Sequence, residues 1–115
     1  MLPKTTRVAI STTSDVMWNG YVSPVFAKAK TFTFVELKSG KVRDAKVISN
    51  PASSFQRGKG PIVVSKLASL GVEAVICEEF GKPLAERLNK FGIKMLRVKP
   101  KTTVVEALKR YKLLA

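Results

Sequence analysis

The sequence of 115 residues contains no histidine and only one cysteine. Without histidine, the chain lacks the commonest metal ligand and the usual general base of enzymes. A single cysteine forms neither an internal disulfide nor a zinc site built from several thiolates. These absences exclude serine–histidine and cysteine–histidine catalysis as well as histidine–zinc chemistry. Because no catalytic constellation is present, we expect a protein that is not an enzyme.

Acidic residues are few: eight aspartates and glutamates stand against 21 lysines and arginines, so the formal net charge is +13. Such a charge attracts nucleic acid, an anionic membrane or an anionic small molecule, and alone it does not distinguish among them. Long hydrophobic runs are absent too, because none approaches the roughly 20 residues of a membrane-spanning helix. Residues 1–7 lack the apolar segment of a signal peptide. We therefore expect a cytoplasmic protein with no membrane partner.

The residues that are present predict one α/β domain over residues 1–115. The length suits one compact domain, and 45% hydrophobic residues argue against disorder. Hydrophobic periodicity predicts strands and helices. The expected strands cover residues 7–11, 31–37, 42–49, 72–77 and 93–98. Helices are expected at residues 62–70 and 104–111, and a third is expected from the apolar stripe of Leu84, Leu88 and Phe91. The second and third strands pair as an antiparallel hairpin, and the charges of the third suit a sheet edge.

Residues 71–95 read as a β-α-β unit, in which Gly71 and Gly92 end helices. Such units are right-handed, so the residues after Ile76 lie where open α/β sheets usually bind ligands. The thiolate of Cys77 could ligate an iron cluster or another soft metal, although a free cysteine packed as a small hydrophobe is the favoured alternative. Glu78 could accept hydrogen bonds or bind a cation, and its favoured alternative is simply acidic charge before a helix.

A second candidate site precedes the helix expected at residue 62. Gly58 and Gly60 leave backbone N–H groups exposed there, and Arg57 and Lys59 add two cations. Such N–H groups, a helix dipole and cations together hold an anion. The spacing matches neither a P-loop nor a dinucleotide fingerprint, so a flexible basic loop is an equally weighted alternative.

A third candidate is the long loop after the first strand. There Trp18, Tyr21 and Phe26 are interleaved with Lys28 and Lys30. Aromatic rings stack on the bases of single strands while cations meet the phosphates. The favoured alternative is that these aromatics cover one end of the core. These five residues define the alternative function, a basic nucleic-acid-binding protein.

Several motifs occur in a fixed order along the chain. They are the first strand at residues 8–11; residues 22–29, similar to V-S-x-H-F-G-x-A; Asn50 and Pro51 followed by Gly58, Lys59 and Gly60; residues 67–81, similar to L-x-x-x-G-V-D-x-V-I-x-x-x-I-G; and residues 88–94 and 103–108. In this order they resemble the dinitrogenase iron-molybdenum cofactor biosynthesis family, the NifX and NafY type of domain that also ends some NifB chains. The resemblance covers nearly the whole chain.

The resemblance implies a single-domain ribonuclease H-like α/β fold. Its mixed five-stranded sheet has the order 3-2-1-4-5 with strand 2 antiparallel, accompanied by about three helices. The family's usual histidine corresponds here to Val25 and the following glycine to Ala27, so only Cys77 remains as a soft ligand. The fold name does not bring nuclease chemistry with it, because residues 7–11 contain no carboxylate for a two-metal site.

The resemblance also implies a non-enzymatic protein that binds or carries an iron-molybdenum or iron-sulfur cluster precursor. We therefore expect an anionic metallocluster, or another anionic small ligand, beside strands 1 and 4. The expected wall is Ser11 to Asp15, with Ser11, Thr12 and Thr13 as its binding residues, and the expected floor is Cys77 to Gly81, with Cys77, Glu78 and Gly81 as its site residues. The expected cationic lid is Arg57, Gly58, Lys59 and Gly60. Nucleic-acid binding is the alternative, and an enzyme ranks last.

Overall fold

The computed structural model describes residues 5–115, and the statements below concern those residues. Eight elements follow one another along this part of the chain. They are β1 (Thr5–Thr12), β2 (Thr31–Lys38), β3 (Lys41–Ser49), α1 (Lys59–Ser69), β4 (Ala74–Cys77), α2 (Lys82–Lys90), β5 (Lys94–Arg97) and α3 (Val104–Arg110). Within these residues, no helix has the length and apolar character that a membrane span requires.

The five strands form one mixed sheet of order β3-β2-β1-β4-β5. Strand β1 lies at its centre, antiparallel to β2 and parallel to β4. Strand β2 is also antiparallel to β3, and β5 runs parallel to β4. The expected strand order and the antiparallel second strand are therefore confirmed, as is an α/β domain with three helices. The ribonuclease H-like assignment stays a prediction.

The sheet separates two hydrophobic layers, because alternate residues of a strand point to opposite faces. Phe32 of β2 packs on one face together with the buried residues of α1 and α2. Val35 and Leu37 of the same strand pack on the other face with the buried residues of α3. The residues of β2 thus alternate between the two faces, and α1 and α2 lie together on one side of the sheet.

Helices α1 and α2 end in the same way. Gly71 and Gly92 follow them with φ angles of 74° and 71°. Glycine adopts this left-handed conformation without the steric penalty that other residues pay. The amide of Val72 then donates to the carbonyl of Leu67 at 3.1 Å, closing the last turn of α1. The helix ends predicted at both glycines are confirmed.

Helix α3 begins with a capping box formed by Thr103 and Glu106. The hydroxyl of Thr103 accepts a hydrogen bond of 3.3 Å from the backbone N–H of Glu106. In return, the carboxylate of Glu106 accepts from the backbone N–H of Thr103 at 3.0 Å. Two N–H groups that would otherwise lack a partner at the helix start are thereby satisfied.

Strand β3 occupies one edge of the sheet, as its charged residues predicted. Its pairing with β2 shifts register between Glu36 and Leu37, which pair with Asp44 and Val42, so Arg43 is left over as a bulge. A bulge and exposed charge both discourage another strand from adding to this edge.

Two predictions about helices are wrong. Helix α1 begins at Lys59 and not at residue 62, so Lys59 and Gly60 lie in its first turn and Gly58 is its N-cap with φ of 71°. Phe91 does not belong to the buried stripe of the second helix, because it follows the last turn of α2 and is 54% exposed. Its position next to Gly92, where the chain turns out of the helix, removes it from the face that contacts the sheet.

Candidate ligand-binding cleft

A cleft of about 600 Å³ lies between the loop at residues 24–28, the start of α1 and the start of α2. Its volume falls in the range of small-molecule sites. The start of α2 follows β4, so the cleft adjoins the carboxyl end of that strand, where the sequence predicted a ligand. The lining residues are Pro24, Val25, Phe26, Ala27, Lys28, Gly58, Lys59, Gly60, Pro61, Glu79, Gly81, Pro83, Leu84 and Arg87.

Both helices that open on the cleft begin without a side-chain cap. The N-cap of α1 is Gly58 and that of α2 is Gly81, and neither helix carries an acidic residue in its first turn. Each has a lysine as its first residue, Lys59 or Lys82. Helix α3, which does not line the cleft, is by contrast capped by Thr103 and Glu106.

These two helix starts favour an anion. The first-turn N–H groups of a helix have no intrahelical partner, and the helix dipole adds positive potential there. A lysine at this position adds more positive charge and is unfavourable for the helix unless a negative group is near. Two such starts at one cleft, with residues of both lining it, make the cleft electropositive.

Side-chain charges in the cleft are mostly positive. Lys28, Lys59 and Arg87 line it against a single carboxylate, that of Glu79. Lys28 and Arg87 are exposed, whereas Lys59 is half-buried. The ammonium group of Lys59 donates to the carbonyl of Ala52 at 2.9 Å, which holds this cation beside the cleft.

Asn50 fixes the loops that carry two of these cations. Its side-chain amide donates to the carbonyls of Ala27 and Ala29, both at 2.8 Å, and its side-chain oxygen accepts from the N–H of Ala52 at 2.8 Å. The residue is buried, and its hydrogen bonds with Ala29 and Ala52 are shielded from water, whereas the one to Ala27 is partly buried. Asn50 therefore connects the loop of Lys28 to the turn that holds Lys59.

Val25, the residue at the position of the family's histidine, lines the cleft and is 48% exposed. Its backbone N–H donates to the hydroxyl of Ser23 at 3.2 Å. The carbonyl of Ser23 in turn accepts from the N–H of Glu78 at 3.3 Å, which joins this loop to the end of β4. The cleft thus has an apolar side chain where a metal ligand would fit.

Cys77 lies beneath the cleft and not on its surface. The residue is fully buried in the layer formed with α1 and α2, and it does not line the cleft. Its thiol donates to the carbonyl of Ser23 at 3.2 Å. Burial raises the pKa of the Cys77 thiol, although the Ser11 side chain and nearby backbone N–H groups oppose this. Because only the thiolate is a good metal ligand, this environment disfavours ligation.

The residues expected to form the wall do not line the cleft. Ser11 and Thr12 end the central strand and are covered from both sides, so neither is exposed. The hydroxyl of Ser11 donates to the carbonyl of Ile76 at 3.3 Å, and that of Thr12 hydrogen-bonds Thr31 at 2.6 Å. Thr13 is exposed but does not line the cleft. Residues 24–28 form this side of the cleft instead.

Only some of the residues expected to form the floor and the lid line the cleft. Gly58, Lys59, Gly60 and Gly81 all line the cleft. Arg57 is exposed outside it, and Glu78 is half-buried while its neighbour Glu79 lines the cleft. The cations of the lid thus come from Lys28, Lys59 and Arg87 and not from Arg57.

The residues expected to bind nucleic acid do not form one surface. Phe26 is buried, with its ring 5.1 Å from that of Phe32 in an edge-to-face contact. Trp18 packs partly buried on the α3 side of the sheet. Tyr21 is exposed, as are Lys28 and Lys30. The favoured alternative, that loop aromatics cover the core, therefore describes Phe26 and Trp18 but not Tyr21.

Seven residues that line the cleft were not predicted as site residues: Pro24, Val25, Ala27, Pro61, Pro83, Leu84 and Arg87. Pro83 and Arg87 are four residues apart in α2 and share one helix face. That spacing predicts that the two residues share a helix face, but not that the face borders a cleft. Nothing local points to Pro24, because its side of the cleft is defined by contacts with distant residues.

A family model and several known proteins match most of the chain. A family model described as dinitrogenase iron-molybdenum cofactor matches residues 6–113. An uncharacterised protein of Methanocaldococcus jannaschii is 27% identical over 93 residues, which are 81% of this chain and 78% of that protein. The apo form of the orange protein from Desulfovibrio gigas has the same fold, with a TM-score of 0.78 at 24% identity over 95% of this chain and 88% of the other.

A Thermotoga protein with a provisional NifB assignment gives a TM-score of 0.74 at 33% identity. The match covers 92% of this chain and 86% of the Thermotoga protein. The match therefore extends over nearly the full length of both proteins, in sequence as well as in fold. With the family model matching all but the ends, this chain belongs to the dinitrogenase iron-molybdenum cofactor family.

Proposed function

We propose that the protein is a non-enzymatic cytoplasmic carrier that binds an anionic metallocluster, an iron-molybdenum or iron-sulfur precursor, in the cleft between α1 and α2. The observation that carries the proposal is the meeting of two uncapped helix starts at one cleft lined by Lys28, Lys59 and Arg87. Family membership supplies the class of cargo. Another small anion of similar size is the alternative cargo.

The cargo is held by charge and N–H groups and not by coordination to side chains. The cleft lining contains no cysteine, and the thiol of Cys77 lies buried below it. Among residues 5–115, no three histidine, cysteine, aspartate or glutamate side chains are grouped to hold a metal ion. A cluster that keeps its own sulfide or organic ligands needs no such group, and its negative charge is what the cleft recognises.

The carrier role also follows from what lines the cleft. Glu79 is its one carboxylate, and no second acid or base stands beside it in the lining. General acid–base chemistry needs a group of matched pKa within hydrogen-bond reach of the reacting atom, usually positioned by a partner. Binding and release of an intact cargo need neither. We therefore assign no reaction to the cleft.

Anaerobic incubation with isolated iron-molybdenum cofactor, followed by desalting, tests this proposal. The visible absorption and paramagnetic signal of the cofactor should remain with the wild-type protein and with Cys77→Ala, because Cys77 is not a ligand. Absence of signal on the wild-type protein, with iron-sulfur clusters tested alongside, would remove a metallocluster as cargo. Loss of the signal only in Cys77→Ala would replace the charge-based mode by thiolate ligation.

A further inference from the structure

Positive charge is concentrated in residues 97–112. This stretch holds six of the 21 lysines and arginines of the chain and a single acidic residue, Glu106. The carboxylate of Glu106 is already engaged with Thr103 in the cap of α3. We use the name basic surface for five of the six cations, which are all exposed and do not line the cleft: Lys99, Lys101, Lys109, Arg110 and Lys112.

The basic surface surrounds a short helix whose apolar side is covered. Val104, Ala107 and Leu108 of α3 are buried against the sheet. The seven residues of α3 span only about 10 Å, so the cations before and after the helix are close together. The five exposed cations therefore lie at the two ends of one short helix.

Helix electrostatics explains only part of the basic surface. Lys109 and Arg110 lie in the last turn of α3, where a positive charge is favourable. Lys99 and Lys101 precede its first turn, where positive charge is unfavourable. The charges of Lys99 and Lys101 thus gain nothing from the helix dipole, and an anionic partner would offset them.

An exposed aromatic ring adjoins these cations. Tyr21 is 52% exposed, and its backbone forms an antiparallel bridge with Thr103. The N–H of Val22 donates to the carbonyl of Thr102 at 2.9 Å, which fixes Tyr21 beside the segment that follows Lys101. A ring beside several cations is the combination that binds a single strand, since bases stack on the ring while cations meet phosphates.

The surroundings favour nucleic acid over a membrane. A helix that binds a membrane surface exposes an apolar face for insertion between lipids. Val104, Ala107 and Leu108 of α3 are instead buried in the core, and its exposed residues Lys109 and Arg110 are charged. We propose that the basic surface, with Tyr21, binds single-stranded nucleic acid. This site is separate from the cleft and does not depend on the function proposed for it.

Fluorescence anisotropy with a labelled oligothymidylate of about 20 nucleotides tests this inference. If all five cations meet phosphates, the slope of log K against log salt concentration is about −3.5 for a single strand. The triple variant Lys99→Ala, Lys101→Ala, Lys109→Ala should reduce the slope by about 2. Tyr21→Leu should weaken binding about fivefold or more, whereas Tyr21→Phe, which keeps the ring, should bind like the wild type.

The matched control removes the same charge elsewhere. Lys38→Ala, Lys41→Ala, Lys46→Ala changes three cations of β2 and β3 and should leave the slope nearly unchanged. An equal loss in this control would show non-specific attraction and overturn the inference, as would absence of binding at about 50 mM salt. A parallel experiment uses vesicles that contain phosphatidylserine. The surface would be assigned to a membrane if the protein bound these vesicles but not oligothymidylate, and if vesicle binding needed the three lysines but not the Tyr21 ring.

The proposals for the cleft and for the basic surface can be tested independently of each other. Lys28→Ala, Arg87→Ala removes cations from the cleft and should leave oligothymidylate binding unchanged. The triple variant of the basic surface should in turn retain the iron-molybdenum cofactor. Loss of oligothymidylate binding in the cleft variant would place the nucleic-acid site in the cleft and contradict the inference.

Discussion

The side chain of Asn50 donates a hydrogen bond of 2.8 Å to the carbonyl oxygen of Ala27. This bond joins the loop that carries Lys28 to the turn that holds Lys59, so one buried amide organises two sides of the cleft. Position 50 is therefore where the stability of the fold and the geometry of the cleft are most closely connected.

Asn50→Ala should reduce both stability and cofactor binding. It leaves the carbonyls of Ala27 and Ala29 and the N–H of Ala52 without their partner. Each unsatisfied buried group costs about 1–3 kcal/mol, so we expect at least that loss in the free energy of unfolding, measured by urea denaturation. Ser49→Ala, at an exposed neighbouring position, is the control and should change stability by less than about 0.5 kcal/mol. A stable Asn50→Ala variant would disprove this role.

The Cys77 thiol should lower stability at alkaline pH. Burial raises its pKa in the folded protein. Above about pH 8.5 the unfolded chain loses the thiol proton while the folded protein keeps it, so the free energy of unfolding falls as pH rises, by up to about 1.4 kcal/mol per pH unit. The difference between wild type and Cys77→Ala isolates this effect, because both contain the same lysines and tyrosines. A difference that is constant with pH would contradict it.

The capping box of α3 should weaken in acid. The N–H and then the hydroxyl of Thr103 lower the pKa of Glu106 by donating to its carboxylate. With a lowered folded pKa, this contribution is complete above the unfolded pKa of about 4.3 and is lost as pH falls through the folded value. Glu106→Gln, which does not titrate, should therefore lose less stability than the wild type on acidification. Glu86→Gln, on α2 and outside any cap, should follow the wild type.

Val25→His should add a metal ligand to the cleft without disturbing the fold. Val25 is 48% exposed, so its replacement should change the free energy of unfolding by less than about 0.5 kcal/mol. An imidazole there can bind iron or molybdenum directly, and cofactor dissociation, followed by absorption after desalting, should become slower. Val25→Leu serves as the control that changes shape alone. Equal dissociation rates in both variants would show that residue 25 does not reach the cargo.

The fold could be predicted from the sequence because its signals are local. Alternation in β2 separates Phe32 from Val35, and glycines with positive φ end α1 and α2. The start of α1 could not be predicted in the same way. Gly58 and Gly60 favour a loop by their flexibility, whereas the helix is supported by the burial of Val63, Val64 and Leu67 further along it.

The cleft could be predicted only in part because its members are distant in sequence. Gly58 and Gly81 each begin a helix, a local signal that places them correctly. Ser11 and Thr12 have the polar side chains of a binding site, yet they end a central strand and their hydroxyls are used within the sheet. Arg87 joins the cleft only through the packing of α2 beside α1, which no local pattern expresses.

The affinity for isolated iron-molybdenum cofactor tests the central claim most directly. Lys28 and Arg87 are exposed, so replacing both with alanine should leave the fold intact. Charge-assisted hydrogen bonds contribute about 1.5–3 kcal/mol each, so Lys28→Ala, Arg87→Ala should raise the dissociation constant by about tenfold or more. Lys38→Ala, Lys41→Ala, which removes the same charge from β2 and β3, should raise it less than about twofold. Equal dissociation constants for the two double variants would contradict a cargo held by charge in the cleft.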